Sequence, residues 1–472
     1  MGLEFCDQPF VPVLLGSDIG AYSMARAFYE SYGVQSHVFG KYATGPCWKS
    51  RIVSFHHMPT IERRPVFLTQ ISQLADAYPH KTLLVLGCGD NYVRLAASCK
   101  DALPPNAVTS YIDPQELDRF MLKDRFYGLC DALGIDHPAT VVYRGLDSAL
   151  PPLPFDYPAV VKPADSGDYF LHHWEDQKKA YTVGDENELL RVTRTSWEGG
   201  YRGAFVIQEL IPGTDDCMRV LTSYSNQNGR VEDTALGHVL LEEHTPLGIG
   251  NHALVLTEND PELLAQVTRL LESVGYRGFS NIDVRFDART GRRLFLDFNV
   301  RQGRNNYYCT LSGFKVAEHL VDDLVFKKRR PASSPQAGWL WSVIPHRVEL
   351  TYVRDPELHA QVVAAARTGF RVNPLFSAYD LAPARVARLW RNHLRHYGNY
   401  RTYYRPSLKA EAPDERRGLL HAERAPAHPG GLGRYGGGGH RPVLPGACGP
   451  HRRHLRPAAH RHPDPEPCQP PR

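Results

Sequence analysis

Long apolar runs, a charge excess of one sign and paired cysteines are all missing from this 472-residue chain. Nowhere do about 18 apolar residues follow one another, so no segment reads as a membrane-spanning helix. The N-terminus has neither a basic leader nor a sustained apolar core, and no signal peptide is expected. A net charge of +4 is too small to argue for a nucleic-acid partner. The nine cysteines make no C-x-x-C pair and no zinc-like spacing. Dispersed and odd in number, they read as reduced thiols of a cytoplasmic protein. What is abundant is apolar residue, 42 % of the chain, enough for several cores and more than one domain.

The most informative stretch runs from Tyr276 to Tyr308. Ile282, Val284 and Phe286, then Leu294, Leu296 and Phe298, alternate at the period of a strand. With Arg289-Thr290-Gly291 as a three-residue loop, the two runs zip as a β-hairpin. Ile282 then faces Phe298, Val284 faces Leu296, and Phe286 faces Leu294. The same register sets Asp283 opposite Asp297 and Asn281 opposite Asn299 on the other face. Like charges across a sheet repel, so a cation is expected between them. Carboxylate and amide oxygens beside Arg301 suit Mg²⁺ held between protein and phosphates.

Upstream, Phe10–Leu15 reads as a strand, followed by the turn Gly16-Ser17-Asp18-Ile19-Gly20, a helix and a second strand at 34–39. The turn's spacing is not that of a dinucleotide site, and a tight turn serving the fold is the favoured reading. Lys81–Leu86 repeats the strand–glycine–helix pattern, so residues 1–115 are expected to form a small parallel α/β domain. A helical stretch from Pro114 carries Lys123, which alone reads as a solvated charge. The strand 157–162 delivers Lys162 beside Ser166 and Gly167, a pairing that suits a phosphate cradle. Lys178 and Lys179 read as a solvated strand entrance. Strands are expected at 204–210, 218–224 and 231–241, a helix over 263–274 ended by Gly275, a polar loop over 303–311 and a helix over 313–326.

Residues 331–412 read as a mixed, helical cap. Its last helix, RVARLWRNHLRHYGNYRTYYR, is expected to pack Leu389, Trp390, Leu394 and Tyr397 inward. From residue 413 to 472 the chain turns to Gly, Pro, Arg and His without apolar periodicity. It is expected to be disordered, and its abrupt onset suggests a frameshift near residue 412. Resequencing that finds an intact frame with the same tail would refute this.

Taken together, Lys123, Lys162, Glu209, Asp283, Asp297, Asn299 and Arg301 resemble the ATP-grasp superfamily over roughly residues 10–330. The shared wording includes GSDIGAYSMARAF, LKDRFYGLC, VVKPADSGDYF, QELIPGTDD, GFSNIDVRFD, LDFNVRQGRNNYY and HLVDDLV. It is most similar to carboxylate–amine ligases of the D-aspartate ligase kind, which serve peptidoglycan cross-bridge synthesis. The resemblance implies an α/β fold of α+β lobes: an ATP-grasp small lobe at 116–205 and a large lobe with the metal site at 206–330, preceded by the parallel domain. It implies that Lys123 and Lys162 hold ATP phosphates with Ser166 and Gly167, while Glu209, Leu210 and Ile211 meet adenine and ribose. Asp283, Asp297 and Asn299 would hold Mg²⁺, with Mn²⁺ as a substitute, and Arg301 with Lys162 would act on the transferring phosphoryl group. The sequence departs from many superfamily members in carrying Asp at metal positions and few glycines in the phosphate loop.

The chemistry so implied is amide formation through an acyl phosphate, with a small acid and an amine or a peptidoglycan precursor as substrates. Phosphoryl transfer needs positioning and positive charge more than covalent help. The loop 165–170 is the expected lid against water. Arg304, Asn305 and Asn306 are candidates for the acid's carboxylates, and Arg219 a weaker one. A ligase of free amino acids and a nucleotide-binding regulator without turnover are the alternatives, and a homodimer is compatible with the pattern. Asp297→Asn is expected to remove activity, spare the fold and, by relieving the Asp–Asp repulsion, stabilise the metal-free protein.

Overall fold

The computed structural model describes residues 3–406, apart from 44, 147, 247, 334 and 335. The tail from 413, and with it the frameshift reading, lies outside the described residues. Among those described, no helix is long and apolar enough to cross a membrane.

Three sheets organise the chain. The first is parallel: β1 (Phe10–Leu15), β2 (Ser36–Gly40), β3 (Val53–His57), β4 (Thr82–Gly87) and β5 (Ala107–Val108), in the order β3-β2-β1-β4-β5. All six residues of β1 are buried, as a parallel strand covered on both faces requires. The helix Ile19–Tyr32 follows, opened by Asp18, whose carboxylate accepts from the Ala21 amide at 3.0 Å, and closed by Gly33 at φ +65°. The second sheet is antiparallel: β6 (Thr140–Tyr143), β7 (Ala159–Pro163), β8 (Tyr181–Val183) and β9 (Phe205–Glu209), in the order β6-β9-β7-β8. The third combines β10 (Met218–Ser225), β11 (Val231–Glu242), β12 (His252–Glu258), β13 (Gly278–Asp287), β14 (Arg292–Asn299), β15 (Leu340–Ser342) and β16 (Arg371–Val372), in the order β14-β13-β10-β11-β12-β15-β16. The C-terminal region thus adds two strands to the edge of this sheet.

Four local expectations are corrected. In the hairpin β13–β14 the loop has four residues, because Asp287 faces Arg292. Val284 therefore faces Phe295 and Phe286 faces Arg293, and a bulge at Leu296 restores the expected pairing for Asp283 and Asp297. Leu294 and Phe295 are consecutively buried while Phe286 is exposed; a bulge lets neighbouring residues break the period of two. The helix from Pro114 breaks at Leu122 (φ −84°, ψ 117°) into Pro114–Met121 and Lys123–Leu133. The loop after the hairpin contains a short helix, Tyr307–Leu311. Last, the helix Pro383–Tyr403 buries Arg385, Leu389 and Tyr400 and leaves Trp390, Leu394 and Tyr397 exposed. Arg385 is held inward by the carbonyls of Pro46, Asp380 and Leu375, an attachment that apolar periodicity cannot reveal.

In the parallel sheet His37 lies against His56 (3.0 Å between ring nitrogens) and Tyr78 (3.1 Å). Burial, with His56 beside it, pushes His37 down to about 4 from 6.5. The folded state therefore resists protonation that the unfolded chain accepts, and stability is lost as pH falls from about 6.5 to about 4. His37→Gln is expected to reduce that acid loss by about 2–3 kcal/mol, seen as urea midpoints that change less between pH 7 and pH 4 than those of the parent.

Candidate functional site

The site forms where β13–β14, the end of β7 and the start of the helix Lys123–Leu133 converge. The break at Leu122 places Lys123 at the first residue of its helix, its amide donating to the Ala164 carbonyl at 3.1 Å. Its ammonium is then 2.8 Å from Asp297 Oδ1, and that of Lys162, on β7, is 3.8 Å from Asp297 Oδ2. Lys123 is not a solvated charge. The cation expected at the hairpin is in part these two lysines.

Charge follows geometry. Burial alone would raise Asp297, but Lys123 and Lys162, with Lys179 further off, hold its carboxyl well below the usual range. Burial would lower the Lys123 ammonium, yet Asp297 keeps it raised. Asp283 is balanced the other way. Burial pushes its carboxyl up and Asp297 across the sheet adds to that, against the weaker opposing pull of His252 and Lys179. Relief of Asp–Asp repulsion is therefore the wrong account of Asp297→Asn: the residue is a counter-ion to two lysines, and its loss is destabilising.

Asp283 Oδ1 is buried without a hydrogen-bond partner, and His252 Nε2 stands 3.8 Å away. Asn299 donates to the Asn281 carbonyl at 3.2 Å and accepts from Arg301 at 3.3 Å. Among the described residues no three His, Cys, Asp or Glu side chains group to hold a metal alone. The donor set is two carboxylates and one amide, with one oxygen unsatisfied. That fits Mg²⁺, which takes one or two carboxylates and completes its shell from phosphates and water.

Arg301 is fixed from the other side by Asp90, at the start of the helix after β4, with Nε 3.0 Å from Oδ1. Burial would lower its guanidinium, and Asp90 with Asp18 raises it instead. Two compartments meet at Lys123 and Lys179. A polar one of about 160 Å³ is walled by Asp90, Asp283, Asn299 and Arg301. A larger one of about 560 Å³ is walled by Val160, Glu209, Leu210, Ile211, Met218 and Leu296. Apolar walls with a few polar groups are the usual make-up of a small-molecule cleft. Glu209, at the end of β9, is paired with Arg289 of the hairpin loop at 2.8 Å.

The phosphate-cradle loop is capped from within. Asp165 caps the short helix Ser166–Tyr169, accepting from the Gly167 and Asp168 amides at 2.8 and 3.1 Å. Tyr169 is fully buried against Trp174 and Tyr201. Ser166 and Gly167 do line the polar compartment, but an anion on the Gly167 amide must displace Asp165.

Of the substrate candidates, Arg304 and Asn305 reach the polar compartment. Arg304 pairs with Glu243 at 3.0 Å, and Asn305 bonds His252 at 3.1 Å. Asn306 is buried, donating to the Gly20 and Gly303 carbonyls, and supports the loop. Arg219 is not in the site. Its neighbour Val220 faces Asp283, so Arg219 points to the opposite face of the sheet, where it pairs with Glu258 at 2.6 Å.

Sequence reasoning missed His252, Lys179 and Asp90. Lys179 lines both compartments although its sequence context is that of a solvated entrance. His252 sits on β12, a strand without an expectation. Asp90 had a legible signal, the glycine-bearing turn after β4, but its partner Arg301 lies about 210 residues away.

Among known proteins, the chain is 32 % identical over 381 residues to D-aspartate ligase of Enterococcus faecium, covering 78 % of this chain and 90 % of that one. No family model matches. Among solved structures, the biotin carboxylase domain of Hydrogenobacter thermophilus 2-oxoglutarate carboxylase, crystallised with MgADP, ADP and bicarbonate, aligns at TM-score 0.52 and 13 % identity, covering 71 % of this chain and 74 % of that one. That likeness shows the shared fold. An L-amino acid ligase from Bacillus licheniformis aligns at TM-score 0.47 and 15 % identity, covering 69 % and 78 %.

Proposed function

The chain belongs to the D-aspartate ligase family of ATP-grasp carboxylate–amine ligases, and from that premise we propose that it joins D-aspartate to an amine of a peptidoglycan precursor, using ATP and Mg²⁺. The observation that carries the site assignment is Asp297 held between Lys123 and Lys162, with the unsatisfied Asp283 oxygen opposite. Residues 116–205 and 206–330 are the two lobes that enclose the nucleotide.

Adenine and ribose lie in the larger cleft, against Leu210, Ile211 and Leu296, with Glu209 at the sugar. The phosphates extend into the polar compartment past Lys123 and Lys162. Asp283, Asp297 and Asn299 would hold Mg²⁺, which supplies positive charge to the phosphate oxygens. The acid's carboxylate oxygen takes the γ-phosphoryl group and ADP leaves. Arg301 and Lys162 stabilise the charge that spreads over the transferring oxygens. Arg304, whose Nη1 is buried without a partner, and Asn305 orient the acid. The amine nitrogen then attacks the acyl carbon, and inorganic phosphate departs. ATP use and the seven free thiols among the described residues support a cytoplasmic setting for the reaction. Mn²⁺ is expected to replace Mg²⁺ in part, having similar oxygen preferences.

Phosphate release with ATP, Mg²⁺ and matched panels of acids and amines tests this. Turnover should require D-aspartate together with a lysine-bearing stem peptide. Turnover on free amino acids alone would contradict the proposed acceptor, and nucleotide binding without turnover under all pairings would contradict the ligase reading.

A further inference from the structure

We infer that a third cavity, bounded by the start of the helix Ile19–Tyr32, by the Arg304–Glu243 pair and by the helix Pro383–Tyr403, receives the amine substrate as an aliphatic primary ammonium on a short methylene arm. The inference rests on the ligase reading and deepens it. The cavity measures about 300 Å³, at the small end of the range of about 300–1,000 Å³ for ligand sites.

Connectivity is the first argument. The cavity shares Arg304 with the polar compartment and Glu243 with the nucleotide cleft. An acyl phosphate formed beside Arg301 is therefore approached across the Arg304–Glu243 pair without passing the nucleotide. Attack forms a C–N bond from the nitrogen lone pair and breaks the acyl C–O bond, whose electrons leave on phosphate. The ammonium sheds two protons: one ends on the phosphate and the other goes to solvent.

The wall is the second argument. Ile19, Val343, Leu375, Phe376 and Leu389 offer an apolar lining suited to methylenes. The charged groups are Asp18, Glu243 and Arg304, two carboxylates against one guanidinium, a net of −1. His393 and His396 line it as well. Burial, with His393 and Arg304 adjacent, pushes His396 down to about 4, so it adds no positive charge at neutral pH. Such a wall favours a cation and repels a dicarboxylate, which separates this cavity from the acid's place. It also accounts for part of the inward stripe of the last helix: Leu389, His393 and His396 follow one another at helical spacing on the cavity side.

The test compares two nucleophiles. Hydroxylamine is small and traps the activated acid as a hydroxamate without needing an apolar arm site. Asn392→Trp, at an exposed cavity-lining position, and His396→Phe fill the space. Both are expected to raise KM for the lysine-bearing stem peptide about 10-fold or more, while hydroxamate formation from D-aspartate stays within about twofold of the parent. An unchanged peptide KM in both variants, or hydroxamate falling in parallel with ligation in both, would overturn the inference. A parent protein that forms no hydroxamate from any acid would instead overturn the ligase reading.

Discussion

Asp297→Asn is expected to lower turnover by about 100-fold or more and to destabilise the nucleotide-free protein by about 2–4 kcal/mol. The two effects have one cause. Asp297 is within 2.8 Å of Lys123 and 3.8 Å of Lys162, and an amide cannot neutralise two ammonium groups. Removing one partner of a buried pair leaves uncompensated charge, which costs more than the pair contributed. The same substitution weakens a proposed Mg²⁺ ligand. Because Asp297 titrates below its ordinary value in the folded state, its contribution is present above the unfolded carboxyl pKa of about 4 and fades as pH falls below it. The stability gap between parent and variant, read from urea unfolding, should therefore be full at pH 7 and narrow below about pH 4. Full activity in the variant, or a gain in stability at pH 7, would refute the assignment.

Arg301→Ala is expected to lower kcat by about 1,000-fold with little change in KM for ATP. The guanidinium sits between Asn299 and Asp90 and lines the polar compartment, where the proposed phosphoryl transfer would develop charge. Lysine cannot reproduce a fixed planar fork, so Arg301→Lys should recover only part of the rate. Added guanidinium should partly rescue Arg301→Ala. Asp90→Asn leaves the guanidinium present but less firmly held, and a loss of about 10-fold is expected. A rise in KM for ATP with unchanged kcat would show that Arg301 serves ground-state binding only.

The parts of this site that local chemistry dictates were legible in the chain. The aspartates of the hairpin face each other as alternation requires, and the strand ends at Lys162 and Glu209 stand within one or two residues of expectation. What was hidden depends on distant partners. Lys123 reads as solvated until the break at Leu122 turns it against Asp297. Arg219 looks like an anion-binding residue until strand pairing assigns it to the other face. The bulge at Leu296 is tied to Tyr127, whose hydroxyl donates to the Leu296 carbonyl from a helix about 170 residues earlier. Of the four residues expected inward on the last helix only Leu389 is buried, because the rest of the inward stripe is polar, and polarity faces inward only where other elements satisfy it.

The central claim is that the acid is activated by phosphoryl transfer at this hairpin. Its most direct test is turnover with ATP, Mg²⁺, the lysine-bearing stem peptide and D-aspartate labelled with ¹⁸O in its carboxylates. An acyl phosphate route predicts one ¹⁸O atom in each inorganic phosphate released. Amide formation with unlabelled phosphate, or with label in AMP, would contradict it.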